Sequence, residues 1–367
     1  MVWFSLGTAG ELIKVYPLLC WAEEHSVPWR ALATGQSPIN LSKQWDDFQL
    51  PRERLKFIMQ TQKDLDSAKA AFSWFLKANL ISKTKLRNRI KQLTGVGPDS
   101  KDTWVVHGDT LSSLVGARYA SKLGIKLVHL EAGLRSPSLV SPFPEEITRR
   151  VVSRYARLHL AQDEFAVQNL RKSRVNGKIV DTGANTLLDT ISKVLKIFPS
   201  PELPPKPYVV ANLHRFENLN SSFRWKTLLD SLLKAAKKAP VYFVLHPPTR
   251  AKLDSRPDDK EKLLKAGVCL EERMPFTKFL HLLNGASFVL SDGGSNQEEC
   301  FYLGKPCLLL RNKTERHEGL ASQVCVLTEF RSDIIDEFLY NPESFAQPPV
   351  AVATNPTEIA LRAILAD

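Results

Sequence analysis

Apolar positions along this chain follow two alternating rhythms. Short unbroken apolar runs, each closed by a small polar group, alternate with longer stretches in which apolar residues return every three or four positions. In the first half the runs predict strands at Val2–Ser5, Trp29–Thr34, Trp104–His107, Lys126–Leu130, Leu158–Ala161 and Lys178–Asp181. The helical rhythm covers Glu11–Glu24, with Leu12, Val15 and Leu19 on one face, then residues 64–93, Leu111–Leu123 and Glu164–Lys172. A second series starts after Gly183-Ala184-Asn185 with a helix over Asn185–Lys196 and a stiff proline-rich connection over 199–207. Strands follow at Tyr208–Asn212, Val241–Leu245, Val268–Glu271, Phe288–Ser291 and Cys307–Leu310, with helices between and a last helix at Thr357–Ala366. Strand–helix alternation predicts parallel sheets. Two such series predict an α/β fold of two doubly wound, Rossmann-like domains facing across a cleft, spanning 1–184 and 185–351. The terminal segment 352–367 is expected to pack back on the first domain.

The stretch Val105–Arg150 carries the densest candidate chemistry. Its strands end at Gly108-Asp109-Thr110 and Glu131-Ala132-Gly133, so one βαβ unit brings Asp109 and Glu131 to the same sheet edge. Glu145-Glu146 follow a Ser-Pro-Phe-Pro turn. Carboxylates gathered at one edge suit proton transfer. Each also has a structural reading. Asp109 could cap the next helix, Glu131 could pair with Arg135, and Glu145 and Glu146 could decorate a helix N-terminus. Lys14 lies on the polar side of the first helix, where lysines are ordinarily solvated.

In the second half, Ser291-Asp292-Gly293-Gly294-Ser295 leaves a strand and opens a helix. Gly293, Gly294 and Ser295 offer backbone N–H groups and a positive dipole end to an anion, a diphosphate above all. Ser295 with Glu298 also spells a capping box. His214-Arg215 and His246 end neighbouring strands, where they could neutralise phosphate or assist a leaving group.

With 367 residues the chain is long enough for two domains, and its five scattered cysteines form no C-x-x-C pair. Neither a disulfide framework nor a metal site is expected. No secretory leader or membrane span is read, and a reducing cytoplasm fits. The net charge is +11, and the densest basic cluster is KANLISKTKLRNRIK at 77–91, preceded by Phe72, Trp74, Phe75 and Leu76. That segment reads as a solvated helix face beside a buried aromatic patch, or as a peripheral contact with the inner face of a membrane. No nucleic-acid motif accompanies the charge.

Taken in order, these groups resemble the non-hydrolysing UDP-N-acetylglucosamine 2-epimerase family, which shares the glycosyltransferase-B-like two-domain fold. The carriers are Gly7-Thr8, Glu11 and Lys14; HGDT at 107–110; HLEAGLR at 129–135; SPFPEE at 141–146; and Gly183–Thr186. In the second half they are His214-Arg215, Glu217-Asn218, Gln297-Glu298-Glu299, LGKP at 303–306 and Thr314-Glu315-Arg316. The resemblance implies interconversion of UDP-GlcNAc and UDP-ManNAc, or a related UDP-HexNAc, for surface polysaccharide synthesis. UDP leaves to give an enzyme-bound 2-acetamidoglucal and adds back on the other face. It implies Asp109, Glu131 and Glu145 as acid–base groups in the first domain. His214 meets the diphosphate, Lys14 and Arg135 fix substrate groups, and Glu299 holds the ribose. No cofactor beyond the substrate's UDP and a homodimer are implied. A glycosyltransferase of this fold, acting on a membrane-held acceptor, is the alternative. Where the family carries Arg-Pro in its first loop, this chain has Ala9-Gly10. Phe216 replaces a second arginine, the Ser-Gly-Gly order is permuted at 293–295, and Gln36-Ser37-Pro38 lacks the histidine associated with a regulatory second substrate.

Overall fold

The structure is a computed structural model that describes residues 1–367 except 66, 137–143, 352, 354 and 367. It divides into two compact units, residues 1–190 with 352–367, and residues 191–351. The division falls inside the helix Leu187–Ile197.

In the first unit the strands are β1 (Val2–Leu6), β2 (Trp29–Ala33), β3 (Leu55–Phe57), β4 (Thr103–His107), β5 (Lys126–Leu130), β6 (Leu158–Ala161) and β7 (Lys178–Asp181). They pair in parallel in the order β3-β2-β1-β4-β5-β6-β7. Strands covered on both faces must be apolar throughout. Trp3, Phe4, Trp104 and Val106 are accordingly fully buried. The second unit holds β8 (Val209–Asn212), β9 (Val241–Leu245), β10 (Val268–Glu272), β11 (Phe288–Ser291), β12 (Cys307–Leu309) and β13 (Cys325–Leu327). Their order is β10-β9-β8-β11-β12-β13, again all parallel. In each sheet the chain reverses its direction of growth at one place, between β1 and β4 and between β8 and β11. Loops at such a switch point splay apart and leave room for a ligand.

Local choices sharpen these positions. Thr8 and Glu11 form a capping box on the helix Ala9–Glu24. Gly7 precedes it because a Cβ there would lie 2.2 Å from Ser112 Cβ. The basic stretch expected to be one helix is two, Ala68–Leu80 and Lys83–Thr94, with Ser82 capping the second through its hydroxyl. The last helix, Pro356–Leu365, belongs to the first unit, where Thr357 N–H and Oγ1 both donate to Asp189 Oδ2, at 2.9 and 2.5 Å. Among the described residues no helix is long and apolar enough to cross a membrane.

Candidate active site

In the first unit the loops leaving β1, β4 and β5 lie side by side, because those strands are neighbours. Glu11 braces two of these loops. Its carboxylate accepts from Gly7 N–H (2.6 Å), Thr8 N–H (2.9 Å), Thr110 Oγ1 (2.5 Å) and Ser113 Oγ (2.9 Å). Burial pushes its pKa up, and the four donors pull the other way.

Asp109 does not cap the following helix. Thr110 does so, accepting from Ser113 N–H at 3.1 Å. Asp109 instead receives Arg149, whose Nε and Nη2 both reach Oδ2, at 2.7 and 2.5 Å. Among the described residues, Asp109 Oδ1 accepts no hydrogen bond. Arg149 is buried on the helix Glu145–Tyr155 and also stands 3.6 Å from Glu146 Oε2. The sequence reading missed it, since nothing in a charged helix distinguishes one arginine from its neighbours.

Glu131 does not pair with Arg135. It sits in left-handed backbone (φ +59°) where β5 ends, buried, and its Oε2 receives Lys14 Nζ and Asn185 Nδ2. His107 Nε2 lies 3.7 Å from the same oxygen. Lys14 is therefore buried rather than solvated, since the helix Ala9–Glu24 turns that face toward β5. Asn185 also accepts from Leu187 N–H at 3.0 Å, which starts the next helix at Leu187, later than the apolar rhythm suggests. His129 Nε2 lies 2.8 Å from Gly108 O. Burial pushes the His129 pKa down to about 3, so the ring is neutral and donates that hydrogen bond, fixing the peptide before Asp109.

Of the glutamates heading the helix Glu145–Tyr155, Glu146 is fully buried. It accepts from Ser136 N–H (3.0 Å), Ser136 Oγ (3.3 Å) and Arg150 Nε (2.8 Å). Glu145 is half-buried at the first helical position. The turn at 141–143 lies outside the described residues. Arg135 points away from Glu131. Its Nη1 donates to its neighbour's Leu134 O at 2.8 Å and its guanidinium lines a separate basic cavity.

In the second unit, a buried carboxylate that the sequence reading passed over organises the site. Asp292 accepts from His214 N–H (2.9 Å), Arg215 N–H (3.0 Å) and Asn218 Nδ2 (2.9 Å), and its carbonyl accepts from Arg215 Nε (2.8 Å). The loops after β8 and β11 are thereby one body. His214 and His246 stack with ring centroids 4.2 Å apart. Burial lowers both pKa values, His246 to about 3, and the Asp292 charge opposes the shift at His214.

The helix after β11 begins at Gly294 with Gly293 as its cap, so Ser295 is not the cap of a capping box. Glu298, which that box needed, is buried and paired with Arg316 Nη1 at 2.7 Å. Ser295 is exposed in the first turn. A Cβ on Gly293 would lie 3.2 Å from His214 Cε1, and one on Gly294 would lie 3.1 Å from Arg316 Nε and 3.8 Å from Arg311 Nη1. Open helix N–H groups thus meet a histidine and two arginines, an anion cradle. Glu299, one turn on, is buried and accepts from Asn296 Nδ2 at 2.7 Å. Arg316 stood in the sequence only as part of the Thr314-Glu315-Arg316 group and Arg311 was not singled out; their loop reaches this helix through Thr314 Oγ1, which donates to Gln297 Oε1 at 2.8 Å.

Residues 88–344 match the family model described as UDP-N-acetylglucosamine 2-epimerase. The UDP-N-acetylglucosamine 2-epimerase of Neisseria meningitidis serogroup A is 30% identical over 351 residues, covering 90% of this chain and 88% of that protein. The UDP-2,3-diacetamido-2,3-dideoxy-D-glucuronate 2-epimerase of Pseudomonas aeruginosa is 32% identical over 244 residues, covering 64% of this chain and 65% of that one. The crystal structure of the Neisseria meningitidis UDP-GlcNAc 2-epimerase bound to UDP-GlcNAc superposes with a TM-score of 0.77 at 25% identity, covering 100% of both chains. The fold is thus the glycosyltransferase-B-like arrangement of two parallel-sheet α/β domains. With the carboxylates at the ends of β4 and β5 and the anion cradle after β11, this chain belongs to the UDP-N-acetylglucosamine 2-epimerase family.

Proposed function

We propose that this chain inverts C2 of a UDP-N-acetylhexosamine, converting UDP-GlcNAc to UDP-ManNAc or a close relative, for surface polysaccharide synthesis. The observation that carries this reading is the pair of strand-end carboxylates, Asp109 with one open oxygen and Glu131 held by Lys14. Family membership and the UDP-GlcNAc in the Neisseria structure support a UDP-sugar ligand. The first unit serves the sugar and the second the nucleotide.

The C2–H bond is barely acidic, so C1–O cleavage must lead. The bonding pair goes to the departing UDP, whose diphosphate charge is spread over the Gly293-Gly294-Ser295 amides, His214, Arg215 and the nearby Arg311 and Arg316. A carboxylate takes the C2 proton to leave the 2-acetamidoglucal. Asp109 suits that step, because Arg149 engages only Oδ2 and Oδ1 stays open to a proton. Glu131 and Glu145 complete the acid–base set that returns a proton to the opposite face. His246 supports the His214 ring by stacking, and Glu299 receives the ribose. No cofactor enters this scheme. Within the second unit, Arg311 and Arg316 offset the cation absent at Phe216, a residue that is 78% exposed. Glycosyl transfer is not favoured by any of the relatives above.

Homodimerisation is proposed through the outer face of the helix Ala68–Leu80, where Phe72, Leu76 and Leu80 form an exposed apolar stripe. The neighbouring basic helix Lys83–Thr94 is the proposed seat of any cytoplasmic membrane contact.

The test is incubation of the purified protein with UDP-GlcNAc in D2O, followed by proton NMR. UDP-ManNAc bearing deuterium at C2 is the expected product. Free ManNAc with UDP would mean hydrolysis. An unchanged substrate that nevertheless binds would sink the epimerase reading.

A further inference from the structure

The first unit contains a second concave site that the proposed chemistry does not use. A cavity of about 430 Å³ lies among the loop after β5 and the helices Glu145–Tyr155 and Glu164–Lys172. Its cations are Arg135, Arg150, Arg154, Lys172 and Arg174, and neither Asp109, Glu131 nor Lys14 lines it. No carboxylate lines it either, among the described residues. Glu146 lies beneath, already engaged by Ser136 and Arg150. Arg154, Lys172 and Arg174 have no carboxylate partner among the described residues.

Like charges gathered in a hollow repel one another and focus a positive potential. The arrangement is held in place all the same. Asn176 O lies 2.8 Å from His159 Nε2, and Gly177, at φ +99°, packs so closely that a Cβ would lie 2.2 Å from Arg157 O. The loop carrying Arg174 is therefore anchored. Arg135 Nε is a buried donor with no acceptor among the described residues. A concavity of this volume fits a small molecule rather than a flat macromolecular face. Arginine forks, which pair with phosphate oxygens two at a time, dominate its lining.

We propose that this cavity binds a small phosphorylated anion, held by Arg135 at its base and by Arg150, Arg154, Lys172 and Arg174 around its rim. The site is separate from the anion cradle after β11, so a protein saturated at one retains capacity at the other.

Isothermal titration of the full chain with inorganic pyrophosphate tests this. Two classes of site are expected, one of which weakens at least about tenfold in Arg154→Gln/Lys172→Gln/Arg174→Gln. These three side chains are exposed, so the variant should keep its unfolding temperature and its binding of UDP. Arg316→Gln should weaken the other class only. Identical isotherms for the wild type and the triple variant would overturn the proposal. So would a single class of site abolished by Arg316→Gln. Sulfate or citrate binding as tightly as pyrophosphate would overturn the assignment to phosphate.

Discussion

At the scale of single residues, the first unit separates carboxylates that do chemistry from carboxylates that hold the fold. Asp109→Asn keeps the Arg149 contact in outline but removes the proton acceptor. C2 deuterium incorporation should fall by about a hundredfold or more, while UDP affinity measured by calorimetry stays within about twofold. Glu131→Gln should behave alike, and full rates in both variants would refute the site. Lys14→Met leaves a buried carboxylate without its cation and should cost about 3–5 kcal/mol in urea unfolding. Acid should weaken the fold through its histidines. His129 and His246 have folded pKa values near 3, below the ordinary 6.5. Below pH 6.5 the unfolded chain therefore binds more protons, and stability falls as pH drops from 6.5 toward 3. Each ring contributes a slope of up to about 1.4 kcal/mol per pH unit. Glu11, whose pKa is raised by burial, acts in the opposite sense at lower pH. Denaturant midpoints between pH 7.5 and 4.5 should show the decline, and His129→Gln should flatten it. Asp109, Glu131 and His214 were legible in the sequence because each ends a recognisable strand. Arg149 and Asp292 were not, because their partners Asp109 and His214 to Asn218 are distant in the chain and only the folded sheet brings them near.

At the scale of elements, strand–helix rhythm located every interior strand, since those runs are apolar on both faces. It passed over β3 and β13, each of three residues at a sheet edge, where half-buried positions such as Lys56 and Leu327 dilute the signal. It also fused two helices, because the break at Ile81-Ser82 contains neither Gly nor Pro. That break has a consequence for testing the basic face. Arg89 Nε donates to Ile58 O at 2.5 Å, so it belongs to the packing and not to a surface patch. Lys83→Glu, Lys85→Glu and Arg87→Glu together should abolish co-sedimentation with anionic liposomes if the segment docks on a membrane. Phe72→Ser, Leu76→Ser and Leu80→Ser should instead convert dimers to monomers in sedimentation velocity. A dimer unaffected by those three changes would remove the stripe from the interface.

At the scale of the whole molecule, the two units differ in how the chain completes them. Residues 191–351 form the second without interruption, whereas the first needs 1–190 and 352–367. A protein truncated after residue 351 loses the buried side chains of Leu361 and Ile364 and the two hydrogen bonds that Thr357 donates to Asp189. Unfolding of the first unit should weaken by about 3–6 kcal/mol, with the second unit's transition unmoved in calorimetry. The same return of the chain sets an order during synthesis. The unit begun first is finished last, since Thr357 and Leu361 emerge only after the whole second unit has been translated. At ordinary elongation rates that interval is about ten seconds or longer. Throughout it, the apolar ground awaiting the final helix faces the cell uncovered, so a ribosome stalled near residue 350 would display a folded nucleotide half beside an unfinished, chaperone-demanding one.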